Sequence, residues 1–165
     1  MVELRPLLEE EREEFIRRNQ AAFLEALAEE IPEGEEVISR EEILESLLAP
    51  KAQAFQVYWK NDLVGGVVVQ IDSATKRNSL DLLFVDGNHK GKGLGLTIWQ
   101  AIEQAYPDTE VWETHTPYFE VRNIHFYVNK CGFQIVEFFN PAHPMEHVPD
   151  FPDAELFFRF EKRMK

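Results

Sequence analysis

Ten residues, 86–95 (DGNHKGKGLG), hold four of the chain's eight glycines. They separate an apolar run, SLDLLFV (79–85), from a segment of helical periodicity, Leu96 to Tyr106. A glycine-dense turn that leaves a strand and opens a helix narrows the available folds, because glycine takes left-handed backbone and close approach at little steric cost. Such a turn also presents amide hydrogens with no intrahelical acceptor at the positive end of a helix dipole, the physical form of an anion site. Lys90 and Lys92 add positive charge there. Spacing excludes two common phosphate loops. A P-loop needs Gly-x4-Gly-Lys-[Ser/Thr], yet Lys92 stands five residues after Gly87, and no Ser or Thr follows a Gly-Lys pair. The dinucleotide fingerprint G-x-G-x-x-G fails because Gly91, Gly93 and Gly95 recur at every second residue.

Periodicity supplies the elements around that turn. Residues 9–29 form an amphipathic helix, with Phe15, Ala22, Phe23, Ala26 and Leu27 near helical spacing. Pro32 and Gly34 break it. Ser39-Arg40-Glu41-Glu42 has the capping-box pattern and starts a second short helix, buried through Ile43, Leu44, Leu47 and Leu48 and closed by Pro50. AFQVYWK (54–60) and LVGGVVVQI (63–71) are strands joined by a tight turn at Asn61-Asp62. Gly65 and Gly66 imply a bulge or bend in the second. After the third strand, the glycine turn and the helix ended by Pro107, a strand at 110–116 and a short helix at 122–131 follow, with Gly132 as C-cap. Strands at 133–139 and 155–162 flank a proline-rich loop. This order implies an α/β (α+β) fold: a mixed sheet with helices on both faces.

Composition excludes several classes. A length of 165 with 44% hydrophobic residues suits one domain over 1–165. Thirteen Phe and three Trp argue against disorder. Thirty acids against 17 bases give −13 and argue against a nucleic-acid partner, since phosphate contacts need Lys and Arg in excess. Residues 1–48 carry 15 acids and 5 bases, most of that imbalance. Their helices either present solvated faces or border a cleft that attracts a cation. Cys131 has no disulfide partner, which suits a reducing, cytoplasmic location, and the opening MVELRPLLEEER resembles no secretory signal. No run approaches a membrane span, so no membrane partner is expected.

Two segments carry a resemblance. Val85-Asp86-Gly87-Asn88-His89-Lys90-Gly91-Lys92-Gly93-Leu94-Gly95 is similar to the acyl-coenzyme A loop of the GNAT superfamily of N-acetyltransferases, usually Arg/Gln-x-x-Gly-x-Gly/Ala. Asn123-x-x-Phe126-Tyr127-x-x-Lys130-x-Gly132-Phe133 is similar to that family's final helix-to-strand segment. The two occur in family order, and the resemblance spans nearly the whole chain. Lys90 replaces the usual Arg or Gln, keeping a cation without the planar fork, and Gly87 stands where Pro is common.

The resemblance implies a mostly antiparallel twisted sheet, splayed between the family's fourth and fifth strands, and an acetyl-CoA-dependent N-acetyltransferase. It implies that Phe84 and Val85 offer main-chain groups to the pantetheine arm, that Lys90, Gly91, Lys92, Gly93, Leu94 and Gly95 cradle the pyrophosphate, and that Asn123 contacts the cofactor. Tyr127 would protonate the departing thiolate. For the base, Asp81, Glu113, His115 and a water relay remain open, Glu113 and His115 sharing a strand face. The acceptor would be a primary amine of a small cationic molecule or a protein. A homodimer stays open, and the competing reading is a catalytically silent acyl-CoA sensor or partner-binding module. No metal is expected: His143, Glu146 and His147 lie among prolines that would disrupt an aligning helix. Cys131, Trp59, Trp99 and Trp112 are expected in the core.

Overall fold

A run of small and β-branched residues, LVGGVVVQI, has no polar face to offer water, so it must be covered on both sides. In the computed structural model, which describes residues 1–26, 38–146 and 155–164, Val64 to Val69 of this run are all buried at the middle of one sheet. The strands are β1 (Glu3–Pro6), β2 (Ala52–Trp59), β3 (Asp62–Gln70), β4 (Arg77–Val85), β5 (Val111–Pro117), β6 (Gln134–Phe139) and β7 (Phe157–Arg163). They pair in the order β1-β2-β3-β4-β5-β7-β6. Every neighbouring pair is antiparallel except β4 and β5.

Helices cover both faces of β3. On one side α1 (Arg12–Ala26) and α2 (Arg40–Leu48) bring Phe15, Ile16 and Ile43 against Val68, Leu82 and Phe84. On the other, α3 (Leu94–Ala105) and a π-helical segment (Phe126–Cys131) enclose Trp99, Ile102, Trp112, Phe133 and Phe160. Trp99 meets Trp112 edge-on at 5.1 Å, the arrangement the ring quadrupoles favour. Cys131 is buried there, its thiol pushed up to about 12 by burial. Trp59 is half-buried, with the Lys60 and Lys92 ammonium groups over its ring at 4.5 and 5.3 Å. No described helix is long and apolar enough to cross a membrane.

Local rules account for most boundaries. Ser39 caps α2, its Oγ accepting the Glu42 amide at 3.1 Å. The β2–β3 turn lies one residue earlier than the sequence suggests: Lys60 and Asn61 hold φ of 52° and 68°, the pair of left-handed residues a type I′ hairpin requires. α3 begins at Leu94, two residues early, because Gly93 at φ 71° serves as its N-cap. β1 has no counterpart among the elements expected from the sequence. Glu3-Leu4-Arg5-Pro6 has neither the length nor the β-branched content of a strand, and it pairs only as an edge beside β2.

Gly65 and Gly66 answer to close approach. A Cβ on Gly65 would lie 2.2 Å from the Phe84 carbonyl oxygen, and one on Gly66 would lie 2.4 and 2.6 Å from the Phe15 and Phe84 rings. The bulge sits just before them, where Val64 has no partner between Leu63↔Tyr58 and Gly65↔Val57. Because the obstacle at Gly65 is backbone of the adjacent strand, Gly65→Ala should destabilise the fold by about 3 kcal/mol, the upper range for overpacking. Urea unfolding checks this; a loss under about 1 kcal/mol would refute it.

Two irregularities open the sheet. β4 bulges at Asp81, which is skipped between Val69↔Leu80 and Val68↔Leu82. Leu80 therefore points into the α3 side of the core and Leu82 into the α1 side. The parallel ladder between β4 and β5 covers only Arg77↔Val111 to Leu80↔Thr114, and both strands continue beyond it unpaired with each other. A wedge-shaped seam results, as the resemblance implies.

Candidate functional site

Tyr127 stands at the apex of the seam. The last paired residues there are joined by a side chain as well, since Thr114 Oγ1 donates to the Leu80 carbonyl at 2.9 Å. The Tyr127 hydroxyl is hydrogen-bonded to the Thr114 side chain. Its ring is packed by Phe133 and Phe160, with centroids at 5.7 and 5.6 Å. Burial, with the nearby Glu120 carboxylate, holds the phenol well above its ordinary value, so it keeps its proton throughout the physiological range.

A cavity of about 380 Å³ opens in front of this apex. Glu42 and Glu45 of α2, Asp81 of the β4 bulge, His115 of β5, Glu120 and Asn123 are among its polar lining residues. No Lys or Arg lines it among the described residues. Asp81 accepts from Gln70 Nε2 at 2.6 Å and Ser79 Oγ at 2.9 Å, and burial raises its pKa. Glu120, after the end of β5, is buried, and its Oε2 accepts from Thr116 Oγ1 at 2.8 Å. Burial pushes its pKa to about 7, against hydrogen bonds from Thr116 and Asn123 that favour the charged form.

The sequence candidates divide. Tyr127, Asp81, His115 and Asn123 meet in the cavity lining; Glu113 does not. Glu113 lies 3.7 Å from Arg77 and 3.5 Å from Arg159, in a charge lattice that includes Glu161 and Glu137. His115, on the same strand face, lies 3.7 Å from Glu113, and desolvation lowers its pKa even though 41% of its side chain is exposed. Asn123 is half-buried and bonded to Glu120. His143 pairs with Glu137 at 2.6 Å, Glu146 is exposed, and His147 lies outside the described residues. Glu120 is absent from the candidates read from sequence. Its signal was a single acid in the otherwise apolar stretch TPYFEV (116–121).

The glycine turn lies at the open end of β4. Phe84 turns its side chain into the α1 core, edge-on to Phe15 at 5.3 Å, which leaves main chain on the seam side. Val85 is half-buried. Gly91 and Gly93 take φ of 80° and 71°, and a Cβ on either would meet nothing within 4 Å. The turn's outer surface is therefore open, and only backbone faces it. Among the described residues, the amides of Gly91, Lys92, Gly93, Leu94, Gly95 and Leu96 donate to no carbonyl; the first amide bonded back is Thr97, to Gly93 at 3.3 Å. Lys90 and Lys92 are exposed beside them. Arg18 ties this region to α1, donating to both Asp86 carboxylate oxygens at 3.0 and 2.9 Å and to Gln56 at 2.9 Å while only 10% exposed.

Comparison with known proteins agrees with this geometry. The chain is 46% identical over 162 residues to YrkN, an uncharacterized protein of Bacillus subtilis (strain 168), covering 92% of this chain and 88% of that one. An acetyltransferase from Thermus thermophilus superposes with a TM-score of 0.72 at 14% identity, over 99% of this chain and 97% of that one. A spermidine N-acetyltransferase from Vibrio cholerae, in complex with CoA and spermine, gives 0.69 at 16% identity, over 98% and 95%. The profile of the Acetyltransferase (GNAT) family matches residues 9–133, so the chain belongs to that family.

Proposed function

We propose that this protein transfers the acetyl group of acetyl-CoA to a primary amine of a small cationic molecule or a protein, by direct attack of the amine. The observation that carries the reading is the row of unpartnered amides at 91–96 beside a seam that only four residue pairs close. A diphosphate satisfies those donors, and the bare glycine surface lets it approach. Lys90 and Lys92 add charge, and the unpaired edges of β4 at Phe84 and Val85 offer main-chain groups to an extended arm. Bound there, acetyl-CoA supplies an acetyl group activated as a thioester. Tyr127 at the apex holds a proton ready for a departing sulfur, and Asn123 and Asp81 face the space beside it. The acidic cavity, free of Lys and Arg among the described residues, suits an ammonium acceptor. The relative solved with spermine is an acetyltransferase of that substrate type.

Calorimetry with coenzyme A, followed by thiol release from acetyl-CoA with spermidine, an aminoglycoside and a peptide bearing a free α-amino group, tests the reading. Saturable binding and turnover of at least one amine are expected. Binding with no acetylation of any amine would instead favour a silent acyl-CoA sensor.

A further inference from the structure

Resting on that reading, the geometry points to Glu120 as the group that takes the proton from the acceptor ammonium. It is the one buried carboxylate among the described residues, and it lines the same cavity as Tyr127. A carboxylate taken out of water normally meets a cationic partner, because an unpaired buried charge is costly. Glu120 is instead hydrogen-bonded by the neutral Thr116 and Asn123. The titratable groups facing the cavity from the surrounding elements are Asp81 on β4, His115 on β5, Tyr127 on the π-helical segment, and Glu42 and Glu45 on α2. None is a permanent cation. The counter-charge is therefore left for something that enters, and an ammonium acceptor supplies it.

The remaining carboxylates fit the task less well. Glu113 lies outside the cavity lining, paired with Arg77 at 3.7 Å and Arg159 at 3.5 Å, so it does not face an acceptor held there. Asp81 is bonded by Gln70 and Ser79 much as Glu120 is by Thr116 and Asn123, but it is half-buried where Glu120 is buried. Glu120 titrates at about 7, near the operating range that general-base transfer favours.

In the transfer, a Glu120 carboxylate oxygen takes one proton from the ammonium nitrogen, whose freed lone pair forms the C–N bond to the thioester carbonyl carbon. The C–S bond breaks with its electron pair on sulfur, which takes the Tyr127 proton. The second nitrogen proton restores the tyrosine, and Glu120 releases its own to solvent.

The test is the pH dependence of kcat/KM for Glu120→Gln with acetyl-CoA and spermidine, the aminoglycoside or the peptide. Wild type should rise with a limb near pH 7. The variant should lose about 100-fold at pH 7, on the scale of general-base catalysis. Its deficit should shrink as pH climbs and free amine accumulates without help. Thr116→Val keeps the acid but removes a donor to its charged form, so its limb should move to higher pH. Melting at pH 8 should be no lower for Glu120→Gln, because folding raises this pKa from 4.5 and the ionised acid opposes folding above that value. A Gln variant that keeps the limb, or that loses the same factor at every pH, overturns the assignment. Wild-type protein that binds coenzyme A but acetylates none of the three amines would remove the acetyltransferase reading itself, and this role with it.

Discussion

Gly93→Glu is expected to abolish coenzyme A binding, weakening it by at least about 1000-fold, or roughly 4 kcal/mol. Two effects add. A non-glycine residue at φ 71° costs about 1–2 kcal/mol, because Cβ crowds the following carbonyl in left-handed backbone. The new carboxylate then enters the open space over the turn, where a Cβ meets nothing, and sits at the positive end of α3. It occupies the donors a diphosphate would use and repels the diphosphate's charge. The fold itself should survive, since a Cβ at Gly93 meets nothing within 4 Å. Gly93→Ala separates the effects: strain without charge should weaken binding about tenfold. Calorimetry with coenzyme A decides the matter, and a Glu variant within tenfold of wild type would refute an anion site at this turn.

Tyr127→Phe is expected to leave coenzyme A affinity intact and slow turnover about 1000-fold, within the range for a lost general acid. Only the hydroxyl is removed. The ring keeps its contacts with Phe133 and Phe160, and Thr114 keeps its bond to the Leu80 carbonyl. Stability should therefore change by no more than about 1 kcal/mol, the net contribution of one neutral hydrogen bond. A loss in kcat with unchanged binding would mark a group acting on the departing sulfur. Undiminished turnover would take Tyr127 out of the mechanism.

The turn, the last helix and six of the seven described strands were legible because each writes itself into short-range pattern: alternation, helical spacing, glycine and proline punctuation. β1 was not, since an edge strand of four residues with two charges and a proline owes its existence to β2 alongside it. Tyr127 and Asp81 could be singled out from sequence, but the reason they meet could not. That reason is a one-residue bulge at Asp81 and a ladder that ends at Leu80, both consequences of pairing between segments far apart in the chain. Glu120 is the clearest case. Its residue type announces a solvated acid, and only the fold, which sets it against Thr116 and Asn123 in the cavity lining, makes it a buried one. Glu113, equally plausible by alternation, was captured by arginines of β4 and β7 that are distant in sequence.

Since only four backbone rungs, helped by side-chain links such as Thr114 to Leu80 and Arg77 to Glu161, join β4 to the far half of the sheet, the fold carries a built-in line of weakness along the seam. A guest lying in that cleft would act as a prosthetic rung, engaging main-chain groups that the protein leaves idle. Occupancy and rigidity are then the same event: the molecule gains thermal resistance from what it binds, in proportion to the logarithm of its concentration.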